Sequence, residues 1–460
     1  MFLQSNLTNR RKFLQRSVLG AGSIFLSSSL LQSCTLQDHN IPPIKPPLGA
    51  DAADWNELAK DAITDAISAA VPEGGEILSG VIDVLWPNSG SGPWDQVKAQ
   101  VQALVDQKFD DFTYTQAKGA LDSLNLLIGD YLNAIKDNGD VSDRWISVHE
   151  VFVGSRYLFT TAGYEVLLLP LYAQYTNMFL ALLRDAVLHG NTWAMKPGDV
   201  QQAQTDLTSF IAEAVNYVSG WYTSSRANVV GKTKRDDVTC EPFRTVNTFD
   251  RQMTMLVLDY MDSWPYYDVS IFPNGPKKPD NTPIYLFTRE IYSDPFGNIL
   301  NVDNYANNPL IELPTPATQF PTYITVWGGH RIDAVQLTYP AGGGPGGVDY
   351  TVRMGDKIGG TNAFPLGGIF NVSPDAPFVR VLVTYGIPIS GTMAIYTLQF
   401  IDANGTYTQQ MGGQKGVGGY TGEAGYDNYA LSSIYIHGIN LTIQNSADCI
   451  VFGFMRWPRK

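Results

Sequence analysis

The sequence predicts a multidomain α and β protein: a seven-helix bundle around one apolar helix, then an all-β domain of antiparallel strands. Three observations carry this. Glu165–His189 (EVLLLPLYAQYTNMFLALLRDAVLH) is apolar almost all the way round. Amphipathic helical periodicity fills residues 51–264 on either side of it. From Pro273 onward glycine and proline rise, helical periodicity stops, and short β-prone segments take over.

Composition narrows the function. A chain of 460 residues holds two or three domains. With 44% hydrophobic and 16% charged residues it buries a substantial core. A net charge of −13 argues against nucleic acid, which needs a basic face, and against electrostatic adhesion to anionic lipid. Three cysteines, Cys34, Cys240 and Cys449, are too few for a disulfide scaffold; whether the last two pair is open.

In chain order, residues 1–34 read as an export signal. Asn9-Arg10-Arg11-Lys12-Phe13-Leu14 carries a twin arginine, an apolar run Val18 to Leu31 follows, and Leu31-Gln32-Ser33-Cys34 resembles a lipoprotein cleavage box that would leave Cys34 lipidated. An ordinary signal peptide with a chance cysteine is the alternative. Residues 35–50, rich in proline, read as a linker. A helical domain is expected over 51–272. Trp55, Leu58, Ala62, Ala66 and Ala70 step along one face of its first helix, and Ile77, Leu78, Val81, Leu85 and Trp86 along the second, which Pro87 closes. Ala117, Leu121, Leu124, Ile128, Tyr131 and Ile135 form a heptad-like seam on a third. Trp145, Val148, Phe152 and Phe159 mark the inner side of a fourth, and Asp143, Ser147, Glu150 and Gly154 its polar side. The fifth is the apolar helix, about 37 Å long at 1.5 Å per residue and so long enough to cross a bilayer core of about 30 Å. Pro170 and the Arg184-Asp185 pair make it a poor permanent span, and a buried core helix is the plainer reading. Gln174, Asn177, Arg184 and Asp185 form its narrow polar stripe. Leu207, Phe210, Ala214, Val218 and Trp221 make a sixth helix, and Met253 to Trp264 ends a seventh.

The β domain is expected over 273–460. Its strands are Tyr323–Val326, Ala334–Tyr339, Phe378–Tyr385, Ala394–Ile401, Leu431–Ile436 and Cys449–Met455, divided by glycine-rich loops at Gly342–Gly347 and Gly412–Gly425. The sequence carries no recognisable motif for catalysis or cofactor binding. His149-Glu150 lacks the second histidine of a zinc protease, Gly412–Gly419 lacks a P-loop ending, and no nucleophile elbow or CxxC occurs. The expectation is no enzyme, no cofactor and no metal.

Several stretches resemble the three-domain insecticidal crystal toxins, the delta-endotoxins. Val71-Pro72-Glu73-Gly74-Gly75, Ile82-Asp83-Val84-Leu85-Trp86 and Trp94-Asp95 match the family's second helix and the start of its third. Leu169-Pro170-Leu171-Tyr172-Ala173-Gln174 and Leu183-Arg184-Asp185-Ala186-Val187-Leu188-His189-Gly190, with Trp193, match the central fifth helix. Leu256-Val257-Leu258-Asp259, Trp264-Pro265 and Asp268 match the seventh, and Thr288-Arg289-Glu290-Ile291-Tyr292 the strand packed on it. Trp327-Gly328-Gly329-His330-Arg331-Ile332, Leu431-Ser432-Ser433 and Phe452-Gly453-Phe454-Met455-Arg456-Trp457 resemble the second domain.

The resemblance implies a pore-forming helical domain and a β-prism that binds a receptor. Counterparts of the family's third domain are not expected, and an export signal is unusual for it. Physical reasoning agrees with the implied mechanism. A helical hairpin carries its backbone hydrogen bonds with it into lipid. The inserting residues are then Asp143, Ser147 and Glu150, facing a water-filled lumen that favours cations, with Leu168, Leu171, Gln174, Asn177 and Leu182 on the fifth helix. Expected partners are target-membrane lipid, a surface receptor (protein or glycan) and further copies of the chain. Receptor contacts are placed on the glycine-rich loops at Gly343, Gly346, Tyr420 and Tyr426, with Gly386–Thr392 as the fallback. A lipid-anchored carbohydrate-binding protein with a passive helical stalk is the competing reading, and an unrecognised hydrolase a weaker third.

Overall fold

A computed structural model describes residues 55–69, 74–87, 93–94, 97–99, 111–137, 139–232, 241–297, 315–329, 331–351, 354–355, 367–387, 394–413, 417–440 and 446–458. The export signal with Cys34, the linker, Cys240, residues 71–73, Asp95, His330 and residues 388–392 of the fallback loop lie outside the described residues.

Helices come first. They are α1 (Trp55–Ser68), α2 (Glu76–Leu85), α3 (Asp111–Lys136), α4 (Val141–Ser155), α5 (Glu165–His189), α6 (Pro197–Lys232), α7 (Glu241–Met253) and α8 (Asp259–Ser263). A single π turn, Thr254–Leu258, joins α7 to α8, so the two form one rod. Expected inward positions on α2 to α6 are buried or half-buried, as their periodicity requires. The first helix departs from its pattern. Leu58 is exposed, and Asn56, Glu57, Lys60 and Thr64 are buried with Trp55, Ala59, Ile63 and Ile67. Polar partners outside the helix, described below, set that rotation.

Eleven strands follow among the described residues: β1 (Ile291–Tyr292), β2 (Phe296–Gly297), β3 (Tyr323–Gly328), β4 (Ile332–Thr338), β5 (Met354–Gly355), β6 (Gly368–Asn371), β7 (Phe378–Ile387), β8 (Ala394–Asp402), β9 (Val417–Gly425), β10 (Tyr429–Asn440) and β11 (Ser446–Arg456). All pairings are antiparallel, in three sheets: β1 and β2 on β11 with β10 beyond, β5-β4-β3-β6, and β8-β7-β9. Inner faces of the three meet in one core that includes Val335, Leu337, Val383, Leu398, Phe400, Ile434, Ile450 and Phe452. Aromatic side chains pin the sheets in pairs. The Tyr339 hydroxyl donates to Ser432 O at 2.8 Å, Phe370 meets Phe400 at 5.9 Å, and Phe296 meets Tyr385 at 6.0 Å. Three sheets around one core is the prism that the resemblance implied.

All six expected strands are present, and β9 corrects one expected loop. Most of Gly412–Gly425 is this strand, at the edge of the third sheet, with Tyr420 opposite Tyr385 and Gly425 opposite Arg380. Glycine is required there for closeness. A methyl group on Gly422 would collide with the Phe296 ring, and one on Gly425 would lie 2.8 Å from Val379 O.

Candidate functional site

The feature that stands apart chemically is the pair α4 and α5. Twenty-one consecutive residues of α5, Val166 to Ala186, are buried. The helix runs unbroken through Pro170. It is the one helix among the described residues long and apolar enough to cross a membrane, a test that a soluble core helix also passes. On α4, Trp145, Val148 and Phe152 face α5, whereas Asp143, Ser147, Glu150 and Gly154 are exposed on the opposite side as their spacing predicts. Asp140 caps α4 by accepting from Asp143 N at 3.3 Å.

The two helices are bonded to each other through groups that the sequence did not single out. Trp145 Nε1 donates to the Leu182 carbonyl at 2.8 Å, and the Tyr175 hydroxyl donates to the Phe152 carbonyl at 2.8 Å. Between these two bonds Trp145, His149, Phe179, Phe152, Tyr175 and Phe159 form a continuous aromatic stack, with centroids 4.6 to 5.7 Å apart. Each bond adds a side-chain donor to a carbonyl already engaged in its own helix. These two bonds stay made if the pair moves as one body.

Bonds from the pair to the rest of the bundle are polar and fall in a few places. On the α6 side, Arg156 pairs with Glu213, and His149 Nε2 lies 3.7 Å from Asp206. On the α8 side, Asn177 Oδ1 accepts from Trp264 Nε1 at 2.8 Å and Asn177 Nδ2 donates to Gln174 at 3.2 Å. Arg184 donates long bonds to the carbonyls of Tyr266 and Tyr267. Asp185 accepts from Gly75 N at 2.9 Å and from the Tyr131 hydroxyl at 3.1 Å. The polar stripe of α5 is thus its docking strip in water. Leu168, Leu171 and Leu182, the other expected insertion positions on this helix, are fully buried.

Burial pushes the Asp185 carboxyl up to about 7, against the Tyr131 and Gly75 hydrogen bonds and Arg184, which lower it; Glu76 adds to the rise. The fold therefore favours the protonated acid. Its contribution to stability is complete below the ordinary carboxylate range and is lost as pH rises through about 7. Asp185→Asn should flatten this slope. Guanidinium midpoints measured from about pH 4.5 to 8 should fall with pH in the parent and change less in the variant.

In the β domain, the four expected receptor positions separate. Tyr420 is 39% exposed and stacks on Tyr385 at 5.5 Å. Gly346 is exposed at a turn with φ +73°. Gly343 is buried. Its carbonyl accepts from Thr318 N and Gln319 N, and a methyl group there would lie 2.8 Å from Gln319 Cβ. Tyr426 lies in the turn between β9 and β10 and is half-buried. It packs on Tyr429 and Phe454, its ring lies 5.4 Å from the Arg251 guanidinium of α7, and burial pushes its phenol up to about 12. One side of this ring packs at the junction between helices and strands.

With this geometry in view, the comparisons fit. Residues 63–268 match the family model of the delta endotoxin N-terminal domain. The chain carries a delta-endotoxin N-terminal domain. Among curated relatives, the pesticidal crystal protein Cry9Ca of Bacillus thuringiensis subsp. tolworthi is 30% identical over 275 residues, 57% of this chain and 23% of the relative. Cry26Aa of Bacillus thuringiensis subsp. finitimus is 32% identical over 225 residues, 47% of this chain and 18% of the relative. The chain thus spans less than a quarter of the length of these two curated relatives. Solved structures extend the likeness into the β domain. The Bacillus thuringiensis insecticidal crystal protein Cry7Ca1 superposes with a TM-score of 0.67 at 18% identity, covering 87% of this chain and 74% of that one. PirB superposes with a TM-score of 0.66 at 14% identity, covering 87% and 94%. These structures share the fold.

Proposed function

We propose that this protein is a pore-forming toxin that binds a cell surface through its β domain and inserts the α4–α5 hairpin into the target membrane. The observation that carries this reading is the hairpin itself: an apolar helix, sheathed in water, bonded to an amphipathic partner as one body. With its 3₁₀ extension Arg156–Phe159, α4 spans roughly 30 Å, as a bilayer core requires. In the membrane Asp143, Ser147 and Glu150 would line a cation-favouring lumen in an oligomer of several copies. Leu168, Leu171 and Leu182 would face lipid or neighbouring helices. Of the receptor positions, Tyr420 and Gly346 remain available on the surface. Domain limits of 51–272 and 273–460, export by the twin-arginine segment and lipidation at Cys34 belong to the same proposal. A passive stalk would have no use for a separable hairpin.

The test uses dye release from liposomes and protein lacking residues 1–50. His149→Cys and Asp206→Cys, joined by a thiol-cleavable cross-linker, tie α4 to α6. Release should be blocked when the link is intact and return on reduction. Full release with the link in place would overturn the hairpin mechanism. On cells, Tyr420→Ala should lower surface binding without lowering release from receptor-free liposomes; equal loss of both would move the receptor site elsewhere.

A further inference from the structure

A cluster of five ionic side chains, four of them buried and Asp61 partly exposed, lies where helices meet strands. Lys60 of α1 has no exposed surface, and its Nζ lies 2.7 Å from Asp259 Oδ2 of α8 and 3.2 Å from Glu57 Oε1. It also donates to the Tyr429 hydroxyl of β10 at 3.4 Å. Arg456, the last residue of β11, bonds Glu57 through Nε and Asp61 Oδ1 through Nη2 at 2.5 Å. Both cations sit over the ring of Phe287, at 5.8 and 5.7 Å. Around the cluster, Asn56 Nδ2 donates to the Met255 carbonyl in the π turn, and Tyr260 donates to Asn56 Oδ1 at 2.8 Å. Gly275 packs so closely on the end of α1 that a methyl group would lie 2.6 Å from Ile67 O.

The rod of α7 and α8 is fixed to β1 and its flanks, which pair with β11. Arg251 donates to the Tyr292 carbonyl at 2.6 Å and to Asp294, Asn247 donates to the Ser293 carbonyl at 3.1 Å, and Arg289 grips Asp262 with two bonds of 2.6 and 2.9 Å. Nothing comparable joins α4 to the strands among the described residues. Its polar bonds run to α5 and α6.

We propose that α1 and the α7–α8 rod belong mechanically to the β domain, with the Lys60–Asp259–Glu57–Arg456–Asp61 cluster as the bolt, and that the helical bundle parts between this base and the α4–α5 hairpin. The boundary of moving parts then falls inside 51–272. On the pore-forming reading, which this inference extends, α1 stays behind with the strands while the hairpin leaves. A buried charge cluster suits that role because it has no intermediate state. A partner drawn away leaves a charge in a dry site, so the joint is either closed or broken.

The test is native-state hydrogen exchange of the full chain in water at increasing sub-denaturing guanidinium, read by mass spectrometry. Residues 55–68 and 259–263 should open together with 429–440 and 446–456, at denaturant concentrations where 141–189 already exchanges at least about tenfold faster. Opening of 55–68 together with 141–189 would overturn the proposal. Arg456→Gln, whose partner Asp61 is partly exposed and can be solvated, should speed exchange of 55–68 and leave 111–136 unchanged. Unchanged exchange in 55–68 would show that the cluster is not the bolt. No membrane enters this measurement, so a failure of liposome release would sink the pore-forming reading alone.

Discussion

Lys60→Met should lower the unfolding free energy by about 3 to 5 kcal/mol, the usual cost of removing one partner from a buried ion pair. Burial alone would pull the Lys60 pKa down, but Asp259 and then Glu57 outweigh it and hold the amine charged well above the ordinary lysine value. Removing that cation leaves Asp259, itself wholly buried, without its ion-pair partner. Glu57 keeps Arg456, so the damage concentrates on Asp259. Lys60→Met combined with Asp259→Leu should therefore recover at least half of the loss, because two apolar groups of similar volume replace a desolvated pair at little net cost. Guanidinium unfolding of the three proteins checks both statements. A loss below about 1 kcal/mol in the single variant would mean that water reaches the site and the joint is soft.

The second large effect is expected at Leu171, the seventh of the 25 residues of α5 and fully buried. A charged residue at mid-bilayer costs about 2.5 to 3.5 kcal/mol on insertion scales; Leu171 lies about 9 Å from the midpoint of α5, so Leu171→Asp should lower the insertion equilibrium by tenfold or more, up to roughly a hundredfold. It will also weaken the folded state in water, since it places a carboxyl in a tight apolar core. Leu171→Asn, similar in shape but uncharged, separates the two. Planar-bilayer conductance should fall further for Asp than for Asn after both are matched for melting temperature and helical circular dichroism. Equal conductance in the two, or parental conductance in a folded Leu171→Asp protein, would remove α5 from the membrane.

Periodicity made most of the architecture legible. The seam of α3, the two sides of α4 and the unbroken apolar run of α5 are local patterns, and each is where the spacing put it. Strands that alternate apolar and polar residues were equally plain. What stayed hidden depended on distant partners. Strand β9 reads as a loop because its glycines carry no pattern; only the ring of Phe296 and the carbonyl of Val379 explain why they are needed. Tyr426 lies beside glycines, and nothing near it in sequence tells that one side of its ring meets Arg251. The first helix was read with Leu58 inward. Its real inner side carries Glu57 and Lys60, and no hydrophobic count finds a face whose complement lies 399 residues later. In the site, the polar face of α4 was legible, whereas the bonds from Trp145 and Tyr175 to facing carbonyls needed the helices side by side.

The bond between Glu57 and Arg456 has a consequence for synthesis on the ribosome. The first described helix cannot reach its resting place until almost the last residue of β11 has been made. Closing so long a loop is entropically slow, and the gain comes only at the end. For most of translation α5 must therefore be shielded without α1, chiefly by α2, α3, α4 and α6, which follow or precede it closely in the chain. A nascent chain halted before β11 would hold an apolar helix in an incomplete wrapper, the state most exposed to aggregation. Timing, and not only strength, is thus written into where the charges of α1 find their partners.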